Sequence, residues 1–242
     1  MVSSPLLEAA AHAPRTRLEH VAGGGDVLLL APHPDDETLG CGAALAALAA
    51  PGRRVQVALI TDGAASHARS RRCPPTRLVA LRAREQREAL RILGRGQLAP
   101  PVRLGWPDQA APDDPQALEA ALGQLRPLLS HRITAIWATW EGDPHSDHTR
   151  TARLARLLAR EAPGARLWFY PIWGRFADKA VPPEGMVRLA SGPFIATKRR
   201  ALAAHRSQMT PLIADDPEGF TMRPEHQAHF IDFDEIFIPE PA

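Results

Sequence analysis

His33, Asp35, Asp36 and Glu37 stand within the run Ala31-Pro-His-Pro-Asp-Asp-Glu, directly after the apolar stretch Val27-Leu-Leu-Leu30. A second group, Asp143-Pro-His145-Ser-Asp147-His148, follows the apolar stretch Ile133-Thr-Ala-Ile-Trp137. Imidazoles and carboxylates in this mixture are what a catalytic zinc ion takes: three protein ligands, with one position left for water. His33, Asp36 and His148 would supply the three. Water bound to such an ion has its pKa lowered to about 7, which makes a nucleophile near neutrality. Asp35 is then placed to accept the proton. His145 could donate to the oxyanion of a tetrahedral intermediate, with Asp147 fixing its tautomer.

A plainer reading stands beside this one. Asp-Asp-Glu ahead of a helix also caps its N-terminus and complements its dipole, and His-Pro-Asp fits an ordinary loop. Each group alone is open to that reading. Their joint appearance after two apolar runs favours one metal-dependent hydrolytic site.

The elements that must position these groups read as alternating strands and helices. Strands are expected at Val27–Ala31, Val55–Thr61, Val102–Leu104, Ile133–Trp137 and Arg166–Tyr170, with another at Val187–Ala190. Helices are expected at Glu37–Ala50, stopped by Pro51-Gly52, at Thr76–Leu93, at 115–129, from His148 to Ala162 and at Thr197–Met209. This βαβ alternation predicts an α/β fold: a mainly parallel sheet between two layers of helices, Rossmann-like in pattern. In such sheets ligands bind beyond the carboxyl ends of the strands, where both groups lie. Residues 1–25 read as a loosely ordered leader, and 26–242 as one domain whose part from 171 onward is variable and builds the substrate wall.

Composition narrows the partners. With 29 basic and 27 acidic residues, no polyanion is implied, and the arginines between Arg69 and Arg95 suit an amphipathic surface helix rather than a nucleic-acid patch. The two cysteines, Cys41 and Cys73, make neither a disulfide framework nor a thiolate zinc site. No signal-peptide pattern is seen, and no apolar run approaches the roughly 18 residues of a membrane span. A cytoplasmic protein is expected.

The two groups resemble the LmbE/PIG-L family of zinc-dependent de-N-acetylases, whose signatures read (A/S)-H-P-D-D-E and H-P-D-H. The first match is near complete. The second departs at Ser146, where the family often has proline, which touches loop stiffness and no ligand. Similarity extends to Leu59-Ile-Thr-Asp62-Gly63, Arg82-Ala-Arg-Glu85 and Leu104-Gly-Trp-Pro-Asp108, and His205-Arg-Ser-Gln208 is similar to a segment of bacterial members. The resemblance implies one Zn2+ per chain (or another divalent ion) on His33, Asp36 and His148. It implies Asp35 as general base, and His145 at the oxyanion supported by Asp147. It also implies Arg82 and Asp108 at substrate hydroxyls, and a Rossmann-like, LmbE-like deacetylase fold. The expected substrate is a small N-acetylated amino sugar, with no nucleic-acid partner.

Arg82 and Glu85, one helical turn apart, could form only an exposed pair, and Asp108 could serve an Asx turn. Trp140 or Trp173 could stack on a sugar, though either indole suits the core. Asp62-Gly63 shapes a turn, Cys41 packs, and His226 and His229 are assigned no metal. Three other functions compete: an amidase for a larger conjugate, a sugar-binding module without turnover, and dinucleotide binding. The last is rejected, because the first strand-to-helix turn carries carboxylates where a pyrophosphate needs glycines.

Overall fold

A computed structural model describes residues 4–49 and 53–241. Helices α1 to α9 span Pro5–His12, Leu18–Ala22, Asp36–Leu48, Pro75–Leu93, Pro115–Leu125, Ser146–Arg160, Ile195–Leu202, Arg206–Met209 and Pro224–Asp232. Strands β1 to β8 span Arg15–Thr16, Asp26–Ala31, Val55–Thr61, Val102–Trp106, Ile133–Thr139, Arg166–Tyr170, Val187–Leu189 and Glu235–Pro239. The sheet order is β1-β7-β8-β6-β5-β2-β3-β4. Pairing is parallel except where β8 lies antiparallel between β6 and β7.

All six residues of β2 are buried, because both faces of the sheet are covered. Val27, Leu29 and Ala31 point into one apolar cluster, and Leu28 and Leu30 into the other. That double burial is why the strand reads as an unbroken apolar run rather than an alternating one. Burying a single leucine side chain of this kind contributes about 1.5–3 kcal/mol.

The topology fixes the site. From β2 the chain crosses to β3 on one side, while β5, the neighbour on the other side, continues to β6. The strand order therefore reverses between β2 and β5, which run parallel, and a crevice opens at their carboxyl ends. Both polar groups leave from those two ends. Tyr170, at the end of β6, donates from its hydroxyl to Leu30 O at 2.8 Å. Its ring also presses on Gly40 of α3, where a Cβ would lie 2.3 Å from Tyr170 Cδ2. Only glycine lets the helix sit that low on the sheet.

Several expectations are corrected. Residues 4–22 are not loosely held: α1 buries Leu6, Leu7 and Ala10, and α2 buries Val21 and Ala22. Ser4 caps α1 and donates to Arg175 O at 2.6 Å, tying the segment to the turn at 173–176. The expected helix over Thr197–Met209 is two helices, α7 and α8. It breaks before Arg206 because the buried Glu85 carboxylate takes the Ser207 amide at 2.9 Å and the Ser207 hydroxyl at 2.6 Å. The helix expected after His148 begins earlier, at Ser146, with His145 at its N-cap. The Pro51-Gly52 stop lies outside the described residues. Helix α9 and strand β8 were not expected. Among the described residues no helix is long and apolar enough to cross a membrane.

Candidate metal centre and cleft

Where β2 ends, the chain turns so that Asp35 occupies the N-cap position of α3, yet its carboxylate makes no capping bond. The capping reading therefore fails for Asp35. Its Oδ2 instead faces the Arg82 guanidinium at 3.3 Å, inside a cleft of about 400 Å³. One residue on, Asp36 points the other way. Its Oδ2 lies 3.2 Å from His33 Nδ1 and 3.4 Å from His148 Nε2. Two ligand atoms on one tetrahedral zinc at about 2.0–2.1 Å stand about 3.3 Å apart, so these spacings are those of a shared cation.

The donor chemistry fits an ion as well. His148 Nδ1 donates to Asp143 Oδ2 at 2.7 Å, which leaves Nε2 as the lone-pair atom. Nε2 is buried and has no hydrogen-bond partner among the described residues. A buried orphan acceptor with its tautomer fixed by a carboxylate is the arrangement of a histidine ligand. The charge balance agrees. Burial alone would lower the pKa of His148, but Asp36 and Asp143 raise it to about 9. For His33, burial is likewise overcome, by Asp108, Asp147 and Asp36, which hold its pKa well above the ordinary value. The pocket demands positive charge, as protons or as a metal ion. Among the described residues the groups whose ligand-capable atoms all lie within 4.8 Å of one another are His33, His145 and His148, and His33, Asp108 and Asp147; Asp36 meets His33 and His148 pairwise.

The adjacent aspartates diverge in proton affinity. For Asp36, burial raises the pKa but the imidazoles of His148 and His33 outweigh it, so the carboxylate stays ionised far below the usual range. For Asp35, burial dominates and the nearby Asp36 charge adds to it, against the pull of Arg82, and the pKa rises to about 7.

His145 sits on the rim of the same cleft. Its Nδ1 accepts the Asp147 amide at 3.2 Å, which places the proton of the neutral ring on Nε2. Burial, then His33 and His148, lowers its pKa, so the ring is a neutral donor. The Asp147 carboxylate does not support it as expected. Asp147 instead accepts from Gln109 N at 2.7 Å and Ala111 N at 3.0 Å and faces His33 Nε2 at 3.2 Å. It pins the 109–111 loop against the first histidine.

Arg82 and Glu85 are both buried, not an exposed pair. Arg82 donates to Gly63 O at 2.9 Å and to Asp35, and Gly63 holds φ +69° with no room for a Cβ beside the guanidinium. Asp108 places Oδ1 3.2 Å from His33 Nε2 and accepts Ala65 N on Oδ2. Burial would raise its pKa, but His33 leads in lowering it to about 2. Both residues line the cleft. Asp62 shapes the expected turn, accepting Ala64 N and Asp108 N.

Trp140 is core, packed against Gly142 and Gly174. Trp173 lines the cleft, edge-on to Phe220 at 5.6 Å, with Met222 and Leu39 completing an apolar wall. Cys41 is buried. His226 stacks on Phe176 at 4.1 Å and His229 on Phe233 at 5.0 Å. Asp143 was missed as a functional residue. Besides His148, it accepts Ile172 N and Gly174 N, and its only sequence signal is its place five residues before His148.

Comparison with known proteins agrees with this geometry. The family model described as "PIG-L: GlcNAc-PI de-N-acetylase" matches residues 28–159. The uncharacterized deacetylase YaiS of Escherichia coli is 30% identical over 143 residues, covering 57% of this chain and 69% of that protein. The conserved protein TT1542 of Thermus thermophilus superposes with a TM-score of 0.61 at 30% identity, over 90% of this chain and 95% of that one. The N,N'-diacetylchitobiose deacetylase of Pyrococcus horikoshii has the same fold, with a TM-score of 0.67 at 22% identity over 93% and 88% of the two chains.

Proposed function

The chain belongs to the PIG-L family of de-N-acetylases, and we propose that it hydrolyses the acetamide of a small N-acetylated amino sugar in a zinc-dependent reaction. Residues 26–242 act as its catalytic domain. The observation that carries this reading is the split between neighbours. Asp36 Oδ2 is shared by His33 and His148 at 3.2 and 3.4 Å, while Asp35 turns off that cluster toward Arg82 with its pKa near 7.

His33, Asp36 and His148 would hold the ion. When bound there, zinc supplies Lewis acidity and lowers the pKa of water. Asp35 takes the proton of the attacking water and delivers it to the leaving nitrogen, a cycle suited to a carboxyl poised near 7. Arg82 holds Asp35 in place through its 3.3 Å contact. His145, neutral and protonated on Nε2, donates to the oxyanion as the carbonyl becomes tetrahedral. Asp108 and Asp147 keep His33 oriented from its far side. The rest of Asp108 and Arg82 faces the cleft, where sugar hydroxyls would lie. Trp173 and Phe220 offer the flat apolar wall that a sugar face prefers.

The test is acetate release from a panel of N-acetylhexosamines. Chelator should abolish it, and Asp35→Asn should lower kcat by about 10²–10⁴-fold with metal content unchanged. A zinc-loaded protein that spares the whole panel would overturn the substrate class. The apolar wall also favours a second reading, an amidase for a larger acyl conjugate, which a preference for longer acyl chains would reveal.

A further inference from the structure

Gln208 lies outside the family-matched segment, at the end of α8, and lines the cleft. Its side chain is 1% exposed. Its Nε2 donates to Ser66 Oγ and to Ser207 Oγ, each at 3.2 Å. Its Oε1 is buried with no partner. The amide cannot be turned round. The one proton of Ser207 Oγ goes to the Glu85 carboxylate at 2.6 Å, and Ser66 Oγ lies 3.2 Å from His67 Nδ1, which can take its proton. The Ser207 hydroxyl therefore presents a lone pair to Gln208, and the atom facing it is the amide NH2. Oε1 is left as an acceptor that nothing among the described residues satisfies.

A buried acceptor without a donor costs about 1–3 kcal/mol, and such a group beside a cleft marks where a ligand donor belongs. The backbone around it is fixed. Gln208 O accepts Met222 N at 2.8 Å, and Ser66 O accepts Phe220 N at 2.7 Å. The acceptor is thus mounted on the framework that also carries the Phe220 and Met222 wall.

We propose that Gln208 Oε1 is a specificity determinant that accepts a hydrogen bond from one hydroxyl of the substrate's sugar ring. This rests on the amino-sugar reading above and deepens it: the ring must present a donor to Oε1 while its apolar face meets Trp173 and Phe220.

The test uses the zinc-loaded full chain with N-acetylglucosamine and its monodeoxy and monodeoxyfluoro analogues at carbons three, four and six. Fluorine can accept but cannot donate. One position should therefore lose about ten-fold or more in kcat/KM as deoxy, and about as much as fluoro. In Gln208→Met, nearly isosteric but without the acceptor, the natural sugar should fall to the deoxy level and the deoxy penalty should vanish. Should that variant fail to fold, the fluoro-against-deoxy comparison on the unaltered protein decides alone. A flat analogue series, a fluoro analogue that keeps full activity at the sensitive position, or a Gln208→Met loss equal on every analogue would overturn the assignment and leave the deacetylase reading standing. No turnover of any N-acetylhexosamine by the unaltered protein would overturn both.

Discussion

Asp143→Asn removes one oxygen's worth of acceptor from a carboxylate that uses both. Oδ2 accepts His148 Nδ1 at 2.7 Å and Ile172 N at 3.0 Å, and Oδ1 accepts Gly174 N at 2.6 Å. The asparagine amide has a single oxygen to place. Set at the Oδ2 position, it turns its NH2 against the Gly174 amide, two donors facing each other in a site with no exposure. Set at the Oδ1 position, its NH2 faces both the Ile172 amide and His148 Nδ1, and the imidazole must then give up its proton there. The imidazole proton moves to Nε2, the atom beside Asp36, and the lone pair meant for a cation is lost. Either arrangement costs about 1–3 kcal/mol of stability, which at this chain length lowers Tm by about 2–12 °C. The second lowers metal affinity by about 10–100-fold, the usual effect of losing a carboxylate behind a histidine ligand. Thermal melts of chelator-treated protein read the stability loss, and zinc competition against a chromophoric chelator reads the affinity. A variant with unchanged Tm and unchanged zinc affinity would refute the reasoning. A lower Tm with unchanged affinity would make Asp143 a scaffold residue with no hold on the tautomer.

Two further outcomes follow from buried charge elsewhere. Lys198 Nζ meets Glu235 Oε1 at 2.7 Å with both side chains buried, and Glu235 also accepts the Ala43 and Ala44 amides. Lys198→Met should therefore destabilise by about 3–5 kcal/mol, since it strands a buried carboxylate; a urea-denaturation midpoint close to the parent's would sink this. His205 is fully buried, and burial first, then Arg82, depresses its pKa from 6.5 to about 3. The unfolded chain thus binds a proton that the folded one refuses. This contribution is complete above pH 6.5 and fades as pH falls toward 3, by up to about 1.4 kcal/mol per pH unit. His205→Gln should melt lower at pH 7.5, for want of the Thr38 contact at 3.2 Å, and lose less on acidification. Parallel Tm-against-pH curves for the two proteins would contradict it.

The central strands and their polar groups were readable because burial on both faces writes itself as an unbroken apolar run, and the break in that run marks the strand end. What escaped reading depends on partners far away in the chain. Strand β8 begins with Glu235, a residue that argues for solvent until Lys198 and two α3 amides are seen to satisfy it. Helix α1 is a short Leu-Ala segment whose burial comes from distant parts of the chain, the turn at 173–176 among them. Asp143-Pro looks like a loop opening, and its function appears only once Ile172 and Gly174 come back to the same carboxylate. Arg82 and Glu85 share one helix face by spacing, but the face is buried, and each finds a different partner. Gln208 has no signal in its own neighbourhood beyond its motif; its meaning lies in the bonds that Glu85, Ser207 and Ser66 have already claimed.

The adjacent aspartates show how one residue type can suit two tasks. A carboxylate that holds a cation must stay ionised, and one that moves protons must change state near working pH. Residue type does not separate the two tasks, since both side chains begin with the same affinity. The turn at the end of β2 separates them, sending Asp36 between two imidazoles and Asp35 into the wall beside one guanidinium. Two imidazole neighbours outweigh burial for Asp36; a single guanidinium at a similar distance, set against the charge of Asp36 itself, does not for Asp35. The charge on Asp36 therefore helps to raise its neighbour. Neutralising Asp36 would remove a proposed metal ligand and relax Asp35 toward an ordinary carboxylate, which is why the two positions must be read as one device.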